Sequence, residues 1–221
     1  MGIQENFGRI QKEIKILRPD DPPEIISVSK KQPLSAIEEA QRAGIKLFGE
    51  NEIKEGVKKF SELRNKNIPF ELHHIGPVQS GTVKKLFEFF SCTHGVCTMS
   101  GLSELLKQSE KRKSKFGYFL EANLTDENSK SGFKKKELLS ILKNSVSLNS
   151  EYCKLMGLMT MGPSDGNPDI TRNVFRELRI IKEEFLPKGK LSMGMSGDYK
   201  IATEEGSNFL RIGTAIFGER Q

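Results

Sequence analysis

The sequence predicts a (β/α)8 barrel, in which a closed ring of parallel strands is surrounded by helices. Strand-like apolar runs alternate with helix-periodic segments, which is typical of βαβ units and a parallel sheet. Eight such runs fall within about 190 residues. No linker, repeat or low-complexity segment divides the 221 residues, so we expect a single domain over residues 1–221. A doubly wound open sheet is the alternative architecture.

The predicted strands are short and rich in Ile, Val, Leu and Phe, and turn-forming residues bound them. In order they are residues 24–30, 46–51, 70–76, 90–96, 116–123, 153–160, 191–196 and 209–217.

The predicted helices occupy most of the intervals and carry apolar residues at helical spacing. They are residues 34–43, 53–63, 83–89, 102–111, 135–142 and 170–185, and 199–206 has helical character. Pro33 and Ser35 favour a helix start at the first of these. A further helix over 4–17 precedes the first strand, and we expect it to close the outer ring where an eighth helix would lie.

Composition narrows the class of protein. The net charge is +6, and basic runs such as 111–113 and 134–136 are better explained as solvated helix faces than as a nucleic-acid stripe. No segment approaches the ~20 apolar residues of a membrane span, and the start lacks the features of a signal peptide. The three cysteines show no metal-ligand spacing, so reduced thiols in a cytoplasmic protein are expected. We therefore predict no nucleic-acid partner, no membrane contact and no metal.

The chemistry of such a barrel lies at the carboxyl ends of its strands. The first strand ends at Lys30, whose amine, if partly buried there, becomes a nucleophile toward aldehydes; an ordinary surface lysine is the competing interpretation. The second ends at Gly49-Glu50-Asn51, which suits close approach of a ligand. The third ends at His73-His74, and alternation places these two side chains on opposite faces.

The last two predicted strands favour an anion site. Ser196 and Gly197 precede a short helical segment, and Gly213-Thr214 follows the neighbouring strand. Backbone N–H groups and hydroxyls in these loops are typical of a phosphate site, whose usual place is after the seventh and eighth strands. Tight turns are the alternative reason for the glycines.

In a closed ring the first and last strands are neighbours, so Lys30 and the phosphate loops lie side by side. A ligand with an aldehyde at one end and a phosphate at the other joins them, and pyridoxal 5'-phosphate (PLP) has that shape. Arg211 precedes Gly213 by two residues and is a candidate partner for the pyridine nitrogen. Because an arginine only donates, it leaves that nitrogen unprotonated and the ring a weak electron sink.

Seven motifs in order resemble those of one family. They are Ile26-Ser27-Val28-Ser29-Lys30, Phe48-Gly49-Glu50-Asn51, His74-Ile75-Gly76-Pro77-Val78-Gln79-Ser80, Asp126-Glu127-Asn128-Ser129-Lys130-Ser131-Gly132, Gly157-Leu158-Met159-Thr160, Ser192-Met193-Gly194-Met195-Ser196-Gly197-Asp198 and Arg211-Ile212-Gly213-Thr214-Ala215-Ile216-Phe217-Gly218. The chain resembles the pyridoxal phosphate homeostasis proteins (the YggS/PROSC type), which are similar to the N-terminal barrel domain of alanine racemase. Lys31 and Gly81, each next to one of these motifs, and Cys97, after the fourth predicted strand, depart from the family pattern.

The resemblance implies a TIM-like barrel that holds PLP as a Schiff base on Lys30, with Arg211 at the pyridine nitrogen. It places Ser196, Gly213 and Thr214 at the phosphate, Asn51 and His74 near the cofactor, and Met159 within a cofactor-site motif. It also implies a role in intracellular vitamin B6 homeostasis, with PLP-dependent client enzymes as possible recipients.

A small amino-acid racemase is the alternative function. Two-base racemisation needs a second acid/base group, and neither Tyr118, Tyr152 nor Tyr199 occupies a place where the sequence argues for one. Alanine racemase obtains that tyrosine with the help of a second domain and a dimer, and the chain ends soon after the eighth strand. We therefore expect a monomeric carrier of PLP rather than an enzyme. A barrel that binds another phosphate ester is the third interpretation.

Overall fold

The computed structural model describes residues 2–125, 127–144 and 148–219. The strands are β1 (Glu24–Val28), β2 (Leu47–Glu50), β3 (Glu71–His74), β4 (Cys92–Val96), β5 (Phe116–Asn123), β6 (Phe133–Lys134), β7 (Cys153–Thr160), β8 (Lys190–Ser192) and β9 (Phe209–Ile212). The helices are α1 (Ile3–Leu17), α2 (Leu34–Arg42), α3 (Ile53–Asn65), α4 (Val83–Phe89), α5 (Met99–Arg112), α6 (Lys135–Lys143), α7 (Pro168–Phe185), α8 (Tyr199–Glu204) and α9 (Thr214–Phe217).

Eight of these strands form a closed parallel barrel. The order is β4-β3-β2-β1-β9-β8-β7-β5, and a further pairing of β4 with β5 closes the ring. The two-residue strand β6 pairs with β5 outside the ring. Closure confirms the predicted (β/α)8 barrel and shows that the open-sheet alternative is wrong.

Helix α1 occupies the place predicted for it. It packs against α8, α9 and α2, so it covers the seam where the chain's last strand meets its first. The Asn6 amide donates to the Ile216 carbonyl at 3.1 Å, and Lys200 Nζ lies 2.9 Å from Glu13 Oε2. Among the described helices, none has both the length and the apolar character that crossing a bilayer requires.

The two largest differences between predicted and observed strands lie at the ends of the last two, β8 and β9. The run predicted as strand over 209–217 is strand only to Ile212; Gly213 leaves the extended region, and Thr214–Phe217 forms α9. Short apolar runs fit either structure, and here the helical turn buries Ile216 against the core. Strand β8 ends at Ser192 because Gly194, with a φ of +97°, turns the chain in a conformation that favours glycine.

The core has two parts. The larger lies between the strands and the surrounding helices, and a smaller apolar cluster of Ile26, Cys92, Phe119, Met159 and Phe209 lies inside the ring. Buried polar groups from β3, β4, β8 and β9 share that interior and bond to one another. This polar column runs toward the carboxyl ends of the strands, where the candidate site lies.

Candidate functional site

A cavity of about 260 Å³ opens at the carboxyl ends of the strands, and we call it the upper cavity. This volume lies just below the ~300–1,000 Å³ of typical ligand pockets, so the cavity suits a small ligand with a single ring. Its lining comes from β1, β9 and the loops after β1, β2, β3, β7, β8 and β9: Val28, Lys30, Gln32, Asn51, Ile75, Met161, Met195, Ser196, Gly197, Arg211, Gly213, Thr214 and Gly218. It therefore joins six of the eight residues predicted from the sequence.

The turn that carries Lys30 is fixed from beneath. Lys59 Nζ on α3 donates to the Ser29 carbonyl at 2.7 Å and lies 2.7 Å from Glu50 Oε1. The Ser29 hydroxyl donates to the same Glu50 oxygen at 2.5 Å. Burial raises the pKa of Glu50, although Lys59 and Ser29 act in the opposite direction. The residue before Lys30 is thus held by both its carbonyl and its hydroxyl.

The neighbouring lysine has a different environment. Lys31 is exposed, lies outside the lining of the upper cavity and has a φ of +60°. Its backbone N–H donates to Glu55 Oε1. Of the two consecutive lysines, Lys30 is the one whose side chain lines the cavity.

Arg211 is the buried cation of the site. Its Nη1 donates to Ser192 Oγ at 2.8 Å and its Nη2 to the Thr160 carbonyl at 3.0 Å. Burial lowers the pKa of Arg211 to about 10, with Asp198 and Glu121 opposing the shift. A guanidinium carries five N–H donors, so donors remain for a ligand in the cavity that Arg211 lines.

The loops after β8 and β9 form the side of the upper cavity that is suited to bind an anion. Ser196 Oγ accepts a hydrogen bond from the Ala215 backbone N–H at 3.1 Å and so ties the two loops together. That bond uses only a lone pair, so the hydroxyl hydrogen can still be donated. A Cβ added at Gly197 meets nothing within 4 Å, whereas one at Gly213 lies 3.3 Å from the Val28 carbonyl. These loops therefore offer hydroxyl and backbone groups with little side-chain bulk.

Asn51 lines the upper cavity, and its position depends on two glycines. A Cβ at Gly76 stands 2.2 Å from the Asn51 carbonyl oxygen, and one at Gly95 stands 1.9 Å from the Gly76 carbonyl oxygen. Any side chain at either position forces the backbone apart. Close packing of three successive strand ends explains why the third motif contains Gly76 and why β4 carries Gly95.

His74 and Met159 lie away from the lining. His74 packs behind the wall: its Nδ1 lies 2.8 Å from Thr93 Oγ1, and it forms a hydrogen bond with the Asn51 backbone. Burial lowers the pKa of His74 to about 4. Met159 is buried inside the ring, and Met161 lines the cavity instead. Depth along the strand explains the difference, because residues two apart share a face and Met161, which follows the last residue of β7, lies nearer the cavity mouth than Met159.

The polar loop after β5 supports the site indirectly. Asn123 Nδ2 donates to the carbonyls of Glu127 and Lys130, and Lys130 Nζ donates to the Gly162 carbonyl. This ties the loop to the segment that carries Met161. Asp126, the first residue of that motif, lies outside the described residues.

Several lining residues were not predicted from the sequence. Ile75, Met195, Gln32 and Gly218 have no chemistry that distinguishes them from ordinary turn or core residues. Glu121 lies outside that lining but interacts electrostatically with Arg211, and its charge within a buried strand was a detectable signal. Burial raises the pKa of Glu121 to about 7, and Arg211 opposes that shift.

Comparisons with known proteins show the family and support the fold. The family described as "Alanine racemase, N-terminal domain" matches residues 3–221. The "Pyridoxal phosphate homeostasis protein" of Pasteurella multocida is 34% identical, over all of this chain and 98% of its own length. PipY of Synechococcus elongatus, solved with PLP bound, is 27% identical with a TM-score of 0.85 over 98% of this chain and all of its own. The alanine racemase of Corynebacterium glutamicum, 14% identical with a TM-score of 0.69, shares the fold over 59% of its length.

Proposed function

Because the chain belongs to the family of pyridoxal phosphate homeostasis proteins, which share the alanine racemase N-terminal barrel, we propose that it binds PLP in the upper cavity and serves intracellular PLP homeostasis. In this proposal Lys30 holds PLP as a Schiff base. The Lys30 amine would hold the aldehyde carbon of PLP through a C=N bond, with one water released.

One observation carries the proposal: a single cavity is lined by the Lys30 amine, the Arg211 guanidinium and the Ser196, Gly213 and Thr214 loops. These are an amine for an aldehyde, a donor for a pyridine nitrogen and a small-residue wall for a phosphate. The residues present therefore fit PLP. When bound, PLP would supply an electron-accepting ring, and Arg211 would weaken that property by donating a hydrogen bond to the ring nitrogen without protonating it.

We further propose that the chain is a carrier and not a racemase. The relatives it matches along nearly their whole length are named homeostasis proteins. Tyr118, Tyr152 and Tyr199 all lie outside the lining of the upper cavity. The Tyr118 hydroxyl donates to the Leu148 carbonyl, and that of Tyr199 to Glu13. Each of these two hydroxyls is engaged away from the place where a second base would act.

An absorbance titration with PLP tests the binding proposal. We expect wild type to develop the absorbance of an imine, which borohydride abolishes, and Lys30→Ala to lose it. Lys31→Ala is the matched control, since it changes the adjacent amine and should retain the signal. If the Lys30→Ala spectrum equals that of wild type, the proposal is wrong; a barrel specific for another phosphate ester would give no imine absorbance in either protein.

Racemisation of free amino acids separates carrier from enzyme. The purified protein loaded with PLP is expected to leave the optical rotation of L-alanine unchanged over hours. Sustained turnover that Lys30→Ala abolishes would establish the racemase alternative.

We also propose that the protein works as a cytoplasmic monomer that passes PLP to client enzymes. Sedimentation at increasing concentration tests the monomer. Reactivation of an apo PLP-dependent enzyme tests the transfer. We expect it to be faster with the PLP-loaded protein than with free PLP at the same concentration.

A further inference from the structure

Three potential metal ligands converge inside the barrel at the end opposite the upper cavity. His73, Cys92 and His94 each offer one ligand atom, and the three atoms lie within 4.8 Å of one another. All three side chains are buried. We propose that this cluster is a binding site for a divalent transition-metal ion of the Zn²⁺ type, held by two imidazoles and one thiolate.

Strand register explains why the cluster forms. Cys92 and His94 are two residues apart on β4, so both side chains point to the same face. His73 on β3 is the direct partner of Cys92 across the parallel ladder. Because His73 comes from the adjacent strand, a search for Cys/His spacing along the sequence does not find the set.

The hydrogen bonds around the imidazoles are those of a metal site. His73 Nδ1 and His94 Nε2 face each other at 3.0 Å. The outer nitrogens are already engaged: His73 Nε2 lies 3.0 Å from Glu71 Oε1, and His94 Nδ1 lies 2.8 Å from Ser192 Oγ. A metal-ligating histidine ordinarily donates a hydrogen bond from the N–H of its second ring nitrogen to a carboxylate or other oxygen, which fixes the orientation of the ring. Here both such partners are in place.

The distances and charges suit Zn²⁺ with modest movement. Ligand bonds of ~2.0–2.1 Å to nitrogen and ~2.3 Å to sulfur in tetrahedral geometry leave nitrogens slightly more than 3 Å apart. Binding replaces the shared His73–His94 hydrogen bond, since His94 takes its proton on Nδ1 and donates it to Ser192. The Cys92 thiol releases its proton to solvent, and the resulting thiolate together with Glu71 balances the metal charge.

A second cavity gives the site an entrance and a fourth position. This lower cavity, of about 690 Å³, is lined by residues at the amino ends of the strands, including Glu71, His73 and Cys92. Three protein ligands with one open position is the arrangement of zinc sites that retain an exchangeable ligand. Water from the lower cavity can occupy that position. Phe119, stacked on His94 at 4.3 Å, and Phe209 border the cluster inside the ring.

Titration of the purified chain with Co²⁺, in the absence of PLP, tests the proposal. We expect one Co²⁺ per chain, a thiolate-to-cobalt charge-transfer band in the near ultraviolet, and loss of both on addition of Zn²⁺. Cys92→Ser should abolish the band, and Cys153→Ser, which alters another buried thiol outside the cluster, should retain it. Absence of the band in wild type, or its persistence in Cys92→Ser, would overturn the proposal.

A second variant, at a partly exposed position, keeps the test valid even if Cys92→Ser misfolds. Glu71→Gln removes the carboxylate partner of His73, and loss of such a partner weakens metal affinity ~10–100-fold. Glu24→Gln, at another carboxylate that lines the lower cavity, is the control and should bind Co²⁺ as wild type does. Equal affinities of the two variants would contradict the assignment. Because PLP is absent, this result is independent of the proposed function.

Discussion

Ser192 links Arg211, which lines the upper cavity, to His94 in the interior of the barrel. The substitution Ser192→Ala measures how much this link contributes to stability and to PLP binding. The residue is fully buried on β8. Its hydroxyl oxygen accepts from Arg211 Nη1 at 2.8 Å and lies 2.8 Å from His94 Nδ1. Substitution therefore leaves a buried guanidinium N–H and a buried imidazole nitrogen each without one partner.

The cost follows from those two losses. A hydrogen bond to a charged group is worth ~1.5–3 kcal/mol, and a buried neutral group left unsatisfied costs ~1–3 kcal/mol. We expect the free energy of unfolding to fall by about 3–5 kcal/mol. At ~2–4 °C per kcal/mol for a domain of this size, that lowers the Tm by at least about 6 °C. Arg211 keeps its bond to the Thr160 carbonyl but loses its second anchor, so PLP retention should fall as well.

The assay pairs thermal melts with PLP absorbance titrations, and it needs a serine control. Ser207 is also fully buried, but its hydroxyl bonds to backbone carbonyls of Met193 and Phe209, away from Arg211. Ser207→Ala should lower the Tm and leave PLP affinity unchanged once the protein is folded. A Ser192→Ala protein with wild-type Tm and wild-type PLP affinity would refute the anchoring role.

Three further predictions concern pH and the loops. Burial raises the pKa of Glu121 to about 7 from 4.5, so the folded state binds an extra proton between those values, and the free energy of unfolding falls as pH rises through that window. Glu121→Gln should remove this fall, which amounts to up to ~3 kcal/mol, in thermal melts from pH 4.5 to 8. A variant whose stability depends on pH as that of wild type does would contradict the prediction. Gly76→Ala should cost at least ~1–3 kcal/mol because its Cβ meets the Asn51 carbonyl at 2.2 Å, whereas Gly81→Ala, with open space, should melt like wild type. Gly197→Asp should weaken PLP binding more than tenfold, because its carboxylate repels the phosphate. Gly197→Ala should bind PLP as wild type does, since its Cβ meets nothing within 4 Å. Equal PLP affinity of the two variants would show that the phosphate does not lie against these loops.

Much of the fold could be predicted because the alternation of apolar runs with helical periodicity is a local signal. Each of the eight barrel strands overlaps a predicted one, and α4 has its predicted bounds. The two-residue strand β6 was missed because its pairing to β5 depends on tertiary position alone. The boundary of β9 was missed because Gly213 ends the strand in the middle of an apolar run.

The candidate site was predictable where chemistry and strand position coincide. Lys30 and Arg211 are charged residues at or near ends of barrel strands, so their sequence position alone brings them to one cavity. His74 could not be placed in the same way, because alternation around a strand end decides whether a side chain faces the ligand or the wall behind it. The cluster of His73, Cys92 and His94 was invisible to spacing rules, since adjacent strands supply it.

Peptide mapping after borohydride reduction of the PLP-loaded protein tests the central claim most directly. The account predicts one pyridoxyl group per chain, attached to Nζ of residue 30. Attachment to Lys31 or to any other lysine, or no covalent label at all, would contradict it.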